Sequence, residues 1–167
     1  KLPVMTKEKS VKIDKDFPGR KITATTRFSS PLKTVWTAFT DSTVLEKWFA
    51  PKPYKAVTKS MEFRNGGRWL YYMLSPKGEK IWSMEDFDNI HPMESFEALD
   101  RFVDKDGKID DNLPQPHWRY TFSQEHGQVT VTAILSFKSE EEMRKILEMG
   151  FEQGFRMGLD QLHEIMD

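Results

Sequence analysis

The sequence predicts an α+β fold in which a strongly curved antiparallel sheet wraps around a long C-terminal helix. Three observations lead to this prediction. Residues 54–137 alternate polar and apolar side chains with the period of two that is typical of β-strands, and turn motifs separate the segments. Two short helical patterns precede this region, and one long helical pattern follows it. Packing the helices against one face of the sheet buries the apolar side of every element.

Composition favours a globular protein with one sizeable core. The chain has 167 residues, and its 12 Phe, 5 Trp and 4 Tyr exclude disorder as the main state. A net charge of −1 argues against a dedicated nucleic-acid binder. The absence of cysteine excludes disulfides, cysteine nucleophiles and thiolate metal sites. Since no apolar run is long enough for a membrane span or a signal peptide, we expect a cytoplasmic protein without a membrane partner.

We divide the chain into a polar N-terminal leader, residues 1–20, and a domain, residues 21–167. The leader carries six basic and three acidic residues, and we expect an extended arm lying on the domain or a partly disordered tail. A phosphate-binding arm is the alternative for this basic segment. Lys21–Phe28 alternates with period two and is rich in β-branched residues, which predicts the first strand.

Two short helices are predicted directly after the first strand. The apolar residues of the first helix recur at steps of three and four, and they are Leu32, Val35, Trp36 and Phe39. Ser30 is the expected N-cap, with Pro31 in the first turn. Asp41 or Ser42 is expected to cap the second helix, which ends before Pro51.

Six antiparallel strands are expected in the middle of the chain. Their predicted ranges are 54–63, 68–74, 80–90, 95–103, 117–124 and 129–137. The Asn65-Gly66-Gly67 segment predicts a tight turn, because Asn and Gly accept positive φ at little cost. Strands joined by such short turns pair antiparallel.

One long helix is predicted from Ser139 to about Met166. Ser139 and Glu142 have the spacing of a capping box, and the acidic residues of the first turn suit the positive end of the helix dipole. Apolar residues then recur at steps of three or four to the end of the chain.

Three glycines, Gly150, Gly154 and Gly158, recur every fourth residue and form one stripe along this predicted helix. Each glycine inside a helix costs about 1 kcal/mol relative to Ala, so a compensating gain is expected. In one interpretation, the missing side chains leave space for a ligand, bordered by Phe151 and Phe155. In the other, the helix backbone packs closely against bulky aromatic residues of the sheet.

Aromatic residues on the strand faces are the second candidate feature. Tryptophan and tyrosine carry a polar atom that needs a partner when buried, which favours wet or ligand-filled space. A solid aromatic core is the alternative interpretation. The candidate pocket residues are Trp48, Trp69, Tyr71, Glu85, Phe87, Trp118, Tyr120, Gly150, Phe151, Gly154, Phe155 and Gly158.

No complete catalytic arrangement is found in the sequence. The four histidines, His91, His117, His126 and His163, lack metal-ligand spacing, so we expect exposed or supporting positions for them. Glu85 can act as a base or a ligand anchor if its strand face points inward. The pattern favours a solvent-facing Glu85 instead, since Trp82 and Met84 share a face with Asp86. We therefore assign no catalytic residue, no metal ligand and no cofactor.

Four segments resemble, in the right order, the activator of heat shock protein 90 ATPase homologue-like family of the START/SRPBCC superfamily, which has the fold of the birch pollen allergen. These segments are Phe28–Asp41 with Leu45–Pro51, Asn65–Trp69, Ile90–Glu94, and Gly150–Gln153 with Leu159–Leu162. The chain departs from the family pattern at Glu85, at Met93 and at the inserted residues 155–158.

The resemblance implies a helix-grip fold with a cavity between the sheet and the C-terminal helix, and a small hydrophobic ligand in many superfamily members. We expect binding of a small hydrophobic or aromatic ligand, such as a lipid, without defined catalysis. One alternative is a chaperone-associated interaction domain with a role in the stress response. The other alternative is a cyclase- or hydrolase-like enzyme that uses the same cavity. A monomer and a homodimer are both compatible with the sequence.

Overall fold

Eight strands form one antiparallel sheet in the computed structural model, which describes residues 11–166. The elements are β1 (Lys12–Asp16), β2 (Lys21–Phe28), α1 (Leu32–Thr40), α2 (Ser42–Trp48), β3 (Lys55–Met61), β4 (Arg68–Leu74), β5 (Lys80–His91), β6 (Ser95–Phe102), β7 (His117–Glu125), β8 (Gln128–Ser136), α3 (Glu140–Glu148) and α4 (Phe151–Met166). The spatial order of the strands is β1-β2-β8-β7-β6-β5-β4-β3. All of the strands and helices predicted after residue 20 are therefore present, although the C-terminal helix is divided.

The first predicted strand joins the last one in the sheet. β2 pairs with β8 along its whole length, from Lys21 opposite Ser136 to Phe28 opposite Val129. Every second residue of both strands is buried. The period of two in the sequence thus defines the inner face of the sheet, against which the helices pack.

The sheet also extends into the segment predicted as a polar leader. β1 pairs antiparallel with β2, and Ile13 lies opposite Ala24. Val11 is buried, and its carbonyl accepts a hydrogen bond from the Arg156 guanidinium of α4. Residues 12–16 therefore form an extended arm on the domain, whereas the predictions for residues 1–10 lie outside the described residues.

The two short helices are present, but the predicted cap of the first helix is wrong. Pro31 is the N-cap of α1, and no side chain within the described residues caps this helix. The Ser30 hydroxyl instead donates to the Met166 carbonyl at the end of α4, at 3.0 Å. Asp41 caps α2 as predicted and accepts a hydrogen bond from the backbone N–H of Thr43 at 2.8 Å.

The prediction of a single C-terminal helix is wrong, because the helix is interrupted at Gly150. This residue lies between α3 and α4 with φ of +88°, and its N–H donates to the Leu147 carbonyl at 3.0 Å. A left-handed residue at this point ends a helix, and glycine adopts it without a steric penalty. Gly150 is therefore not part of a continuous helical stripe.

The capping box predicted for this region is half formed. Ser139 accepts a hydrogen bond from the backbone N–H of Glu142 at 3.1 Å. The Glu142 carboxylate accepts from the backbone N–H of Gln115 and thereby holds the β6–β7 loop against α3.

Aromatic side chains fill one end of the space between the sheet and the helices. Trp36 of α1 contacts three rings edge-on, and the centroid distances are 5.9 Å to Phe63, 5.7 Å to Phe96 and 5.0 Å to Phe122. Phe39 packs next to them, 5.5 Å from Phe122. We call these five residues the packed end of the interior. Within residues 11–166, no helix is both long enough and apolar enough to cross a membrane.

Candidate functional site

A pocket of about 420 Å³ lies between the sheet and the junction of α3 with α4. We call this region the open end of the interior. Its volume is within the range of about 300–1,000 Å³ that is typical of small-molecule sites. The lining residues are mainly apolar and come from the α2–β3 segment, four strands, the loop before β7 and both C-terminal helices: Phe49, Pro51, Tyr54, Tyr71, Met73, Ile81, Ser83, Asp100, Phe102, Pro116, Trp118, Ile146, Met149, Gly150, Phe151, Gly154 and Phe155.

The structure brings six of the candidate residues to this pocket, namely Tyr71, Trp118, Gly150, Phe151, Gly154 and Phe155. The other six do not line it, and they are Trp48, Trp69, Glu85, Phe87, Tyr120 and Gly158. Phe87 packs against Phe63 and Phe96 of the packed end, and Tyr120 stacks on Phe96. The opposing helices therefore decide which part of each strand face borders open space.

Two of the predicted tryptophans have their polar atoms satisfied by the protein itself. The Trp48 indole donates to the Ala38 carbonyl at 2.8 Å, and the Trp69 indole donates to the Thr58 hydroxyl at 3.0 Å. The argument that a buried tryptophan needs a wet neighbourhood therefore does not apply to these two residues.

The two glycines inside α4 have different surroundings. A Cβ at Gly154 would meet only the Pro51 side chain, at 3.7 Å, and Gly154 borders the pocket. A Cβ at Gly158 would lie 3.1 Å from the Trp48 carbonyl oxygen. Gln161 fixes this carbonyl by donating to it from Nε2 at 2.9 Å. Gly154 therefore borders open space, whereas Gly158 packs closely against the end of α2 and not, as the second interpretation expected, against aromatic residues of the sheet.

Several lining residues were not selected from the sequence. Met73 shares the inner face of β4 with Tyr71, and Phe102 shares that of β6 with Asp100, so the period of two could have identified both. Tyr54 and Pro116 lie outside the helices and strands, where periodicity provides no signal.

Two carboxyl groups lie next to each other on the inner face of the sheet. Glu85 of β5 is directly opposite Asp100 of β6, and Asp100 borders the pocket with Tyr71 and Ser83. Glu85 is only 5% exposed, and its Oε1 has no hydrogen-bond partner among the described residues. The solvent-facing orientation favoured for Glu85 from the sequence is therefore wrong.

The opposite face of β5 carries the ion pairs. Asp86 accepts a hydrogen bond from Arg68 Nε at 2.6 Å and also pairs with Arg101. Both guanidinium groups thus neutralise Asp86 on the outer face of the sheet. No ion pair to Glu85 or Asp100 is present within the described part of the chain.

Burial raises the pKa values of the inner groups, because it penalises their charged forms. Burial, followed by the nearby charge of Asp100, raises the pKa of Glu85 well above its ordinary value. Burial raises the pKa of Asp100 to about 7, and the nearby Trp118 indole offsets part of this increase. Burial and the two carboxyl groups also raise the pKa values of Tyr71 and Tyr120.

No arrangement of three or more His, Asp or Glu side chains in residues 11–166 is suited to hold a metal ion. His163 is buried rather than exposed, and its Nε2 lies 2.6 Å from the Thr26 hydroxyl. Its ring stacks on Phe28 with a centroid distance of 4.3 Å. His163 therefore lies in the core, away from the pocket residues.

The curved sheet around the C-terminal helix, with a pocket between them, defines a helix-grip protein of the START/SRPBCC type. The model of the family described as Activator of Hsp90 ATPase homolog 1-like protein matches residues 29–167, and the chain belongs to this family. The resemblance and the fold class predicted from the sequence are thus confirmed.

Solved structures share this fold over nearly the whole chain. A protein from Arthrobacter aurescens, solved by NMR in solution, is 31% identical, with a TM-score of 0.88 and coverage of 93% of this chain and 91% of that one. A crystal structure from Mycobacterium smegmatis is 28% identical, with a TM-score of 0.86 and coverage of 93% and 96%. A protein from Staphylococcus epidermidis is 27% identical, with a TM-score of 0.80 and coverage of 92% of each chain. A search among curated proteins finds no match.

Proposed function

We propose that the protein binds a small, mainly apolar or aromatic ligand in the pocket at the open end of the interior, without defined catalysis. The observation that carries this proposal is a space of about 420 Å³ with apolar walls and a small polar region at Ser83 and Asp100. Pockets that bind small molecules typically combine apolar walls with a few polar groups that orient the ligand.

Aromatic rings give the pocket a preformed wall. Phe151 and Phe155 of α4 stack on each other at 5.5 Å, and the Trp118 ring meets them edge-on at 5.7 and 5.1 Å. These rings support one another without a ligand, so little ordering is required when a ligand binds. A preorganised site of this kind favours affinity, because fewer side chains lose freedom on binding.

Gly154 offers a direct test, because it borders the pocket and carries no side chain. The Gly154→Leu variant places an isobutyl group in the pocket, whereas Gln153→Leu places the same group on the exposed neighbouring position. We expect a library of lipids and aromatic metabolites to contain compounds that raise the melting temperature of the native chain and of Gln153→Leu. Gly154→Leu should lose this response. A library without any such compound, or an undiminished response in Gly154→Leu, would contradict the proposal.

The family supports a second candidate function, in which the protein acts on a chaperone through its surface. Most of the chain matches the family described as Activator of Hsp90 ATPase homolog 1-like protein. Met157 and Ile165 of α4 are exposed apolar side chains that are available for contact with another protein. Pull-down with Hsp90, together with its ATPase rate at increasing concentrations of this protein, tests the candidate. The absence of both association and a change in the ATPase rate would contradict this candidate.

A further inference from the structure

We propose that the ligand carries a protonated amine in addition to its apolar body, and that Asp100, with the Glu85 carboxyl group beside it, receives this amine. The inference rests on the proposed function, since it identifies the chemical class of ligand for the same pocket. It follows from three features of the open end: an unneutralised pair of carboxyl groups, aromatic rings around it, and walls without a basic residue.

The carboxyl pair lacks the partners that buried acidic groups normally have. Asp100 borders the pocket, and Glu85 lies directly beside it across the β5–β6 pairing, with Oε1 unpartnered in the described chain. The nearest arginine side chains, Arg68 and Arg101, are engaged with Asp86 on the outer face. A buried carboxyl group without a donor is costly, and an ammonium group entering the pocket provides both a charge and several N–H donors.

Aromatic rings next to Asp100 suit the same ligand. Tyr71 and Trp118 line the pocket together with Asp100, and the negative faces of such rings attract cations. Trp118 is only 2% exposed, and its indole N–H lies close to Asp100 but makes no hydrogen bond of normal geometry among residues 11–166. An ionised Asp100 offers this N–H an acceptor, so cation binding satisfies both groups.

The walls of the pocket oppose anionic ligands. None of the described residues that line it is a lysine, an arginine or a histidine. A fatty acid or a phosphate would therefore enter a pocket in which Asp100 is a lining residue, Glu85 is buried beside it, and no lining residue is basic. The same argument distinguishes an amine from the anionic members of a general lipid library.

The titration of the pair is compatible with this assignment. The titratable groups that face Asp100 are Tyr71 from β4, Glu85 from β5 and Tyr120 from β7. Burial raises the pKa of each of these three groups. The α4 side contributes the apolar rings of Phe151 and Phe155. Because the pKa of Asp100 is raised to about 7, this group is partly protonated at neutral pH, and binding of an ammonium group is expected to release that proton.

The test compares ligands that differ only in charge. Phenyl, naphthyl and indole compounds are each used as an ethylamine, as the neutral ethyl derivative and as the propionate. Their affinities are measured by calorimetry at about pH 8, where the amines remain protonated and Asp100, with its pKa of about 7, is largely ionised. We expect at least one amine to bind about tenfold or more tightly than its neutral and anionic counterparts.

Two variants and one control locate the charge that is recognised. Asp100→Asn should weaken amine binding about tenfold or more, and Glu85→Gln, which changes the carboxyl group behind Asp100, should weaken it by a smaller factor. Asp88→Asn removes the same charge from an exposed position of β5 and should leave the affinity unchanged. Circular dichroism establishes that each variant is folded before its affinity is interpreted.

Amines that bind no better than their counterparts, or that bind Asp100→Asn and Glu85→Gln as well as the native chain, would overturn the inference. If the neutral compounds bind in that case, the proposed ligand-binding function stands and only the amine assignment fails. Absence of binding by every amine also overturns the assignment, and the library screen with Gly154→Leu then decides the proposed function separately.

Discussion

The packed end and the open end of the interior differ in packing although aromatic residues of the same sheet line both. At the packed end, α1 inserts Trp36 and Phe39 between the rings of the sheet. At the open end, Gly150 and Gly154 border a pocket of about 420 Å³ together with Phe151 and Phe155. Aromatic content therefore does not distinguish core from pocket. The difference lies in how closely the helices pack against the sheet at each end.

The hydrogen bonding of buried polar atoms also differs within the interior. The indoles of Trp48 and Trp69 donate to protein acceptors, at 2.8 and 3.0 Å. In the described chain, Trp118 and Glu85 each keep a buried polar atom without a hydrogen-bond partner. A third such atom, Arg101 Nε, belongs to the ion pairs on the outer face of the sheet. Since buried polar groups are nearly always paired, the two inner atoms, at Trp118 and beside Asp100, indicate the part of the interior that is suited to a ligand.

The largest expected difference between the two ends is in the cost of removing a ring. Phe96→Ala at the packed end should lower the free energy of unfolding by about 3–5 kcal/mol, because Trp36, Phe63 and Tyr120 surround this ring and cannot fill the cavity. Phe151→Ala at the half-buried wall of the pocket should cost about 1 kcal/mol. Urea denaturation measures both values, and equal costs would remove the distinction between the ends.

The next largest expected effect is the pH dependence of the free energy of unfolding, which arises from the buried carboxyl groups at the open end. Asp100 releases its proton near its ordinary pKa of 3.8 when unfolded, and at a pKa of about 7 when folded. Between these values the folded state binds more protons than the unfolded state, so the free energy of unfolding falls as pH rises, by up to about 4 kcal/mol across the whole window. The raised pKa of Glu85 acts in the same direction.

The variant that tests this pH effect is Asp100→Asn, which should flatten the decrease and be more stable than the native chain at about pH 8. Chemical denaturation across the pH range measures the effect. The exposed substitution Asp88→Asn is the control and should keep the native pH dependence. If the free energy of unfolding of Asp100→Asn falls with rising pH as much as that of the native chain, Asp100 does not titrate as inferred.

The smallest expected effect is the change in the free energy of unfolding when each glycine of α4 is replaced by alanine, and its sign differs between the two positions. Gly154→Ala should raise the free energy of unfolding by up to about 1 kcal/mol, because alanine favours the helix and its Cβ meets only Pro51. Gly158→Ala should lower it by about 1 kcal/mol, since its Cβ presses on the Trp48 carbonyl that Gln161 holds in place. Thermal unfolding of both variants measures the difference, and a gain in stability for Gly158→Ala would show that this contact can relax.

Much of the fold was predictable because its determinants are local. The period of two in Lys21–Phe28 and in the six later strands fixes which side chains share a face, and the Asp41 cap follows from its position before α2. The prediction of Ser30 as the N-cap was wrong because the Ser30 hydroxyl donates a hydrogen bond to the carbonyl of Met166, which is far away in the sequence. No local pattern reports such a partner.

The candidate site was predictable only in part. The sequence identified Tyr71, Trp118, Phe151, Gly154 and Phe155 as pocket candidates, and these residues line the pocket. It could not decide between a close contact and open space at each glycine, because that depends on which backbone the helix meets. The sequence also favoured the wrong orientation for Glu85, since apolar residues occupy both faces of β5 and the pattern does not show which face points inward.

By itself, the sequence determined the curved antiparallel sheet, the helices on its inner face and the aromatic and glycine residues available to the interior, because periodicity and turn residues act over short distances. Only the tertiary structure decided that α1 fills one end and the α3–α4 junction leaves the other open. It also decided that Glu85 and Asp100 meet across β5 and β6. These outcomes depend on contacts between segments far apart in the chain, and each such contact is set by shape and burial that no single segment encodes.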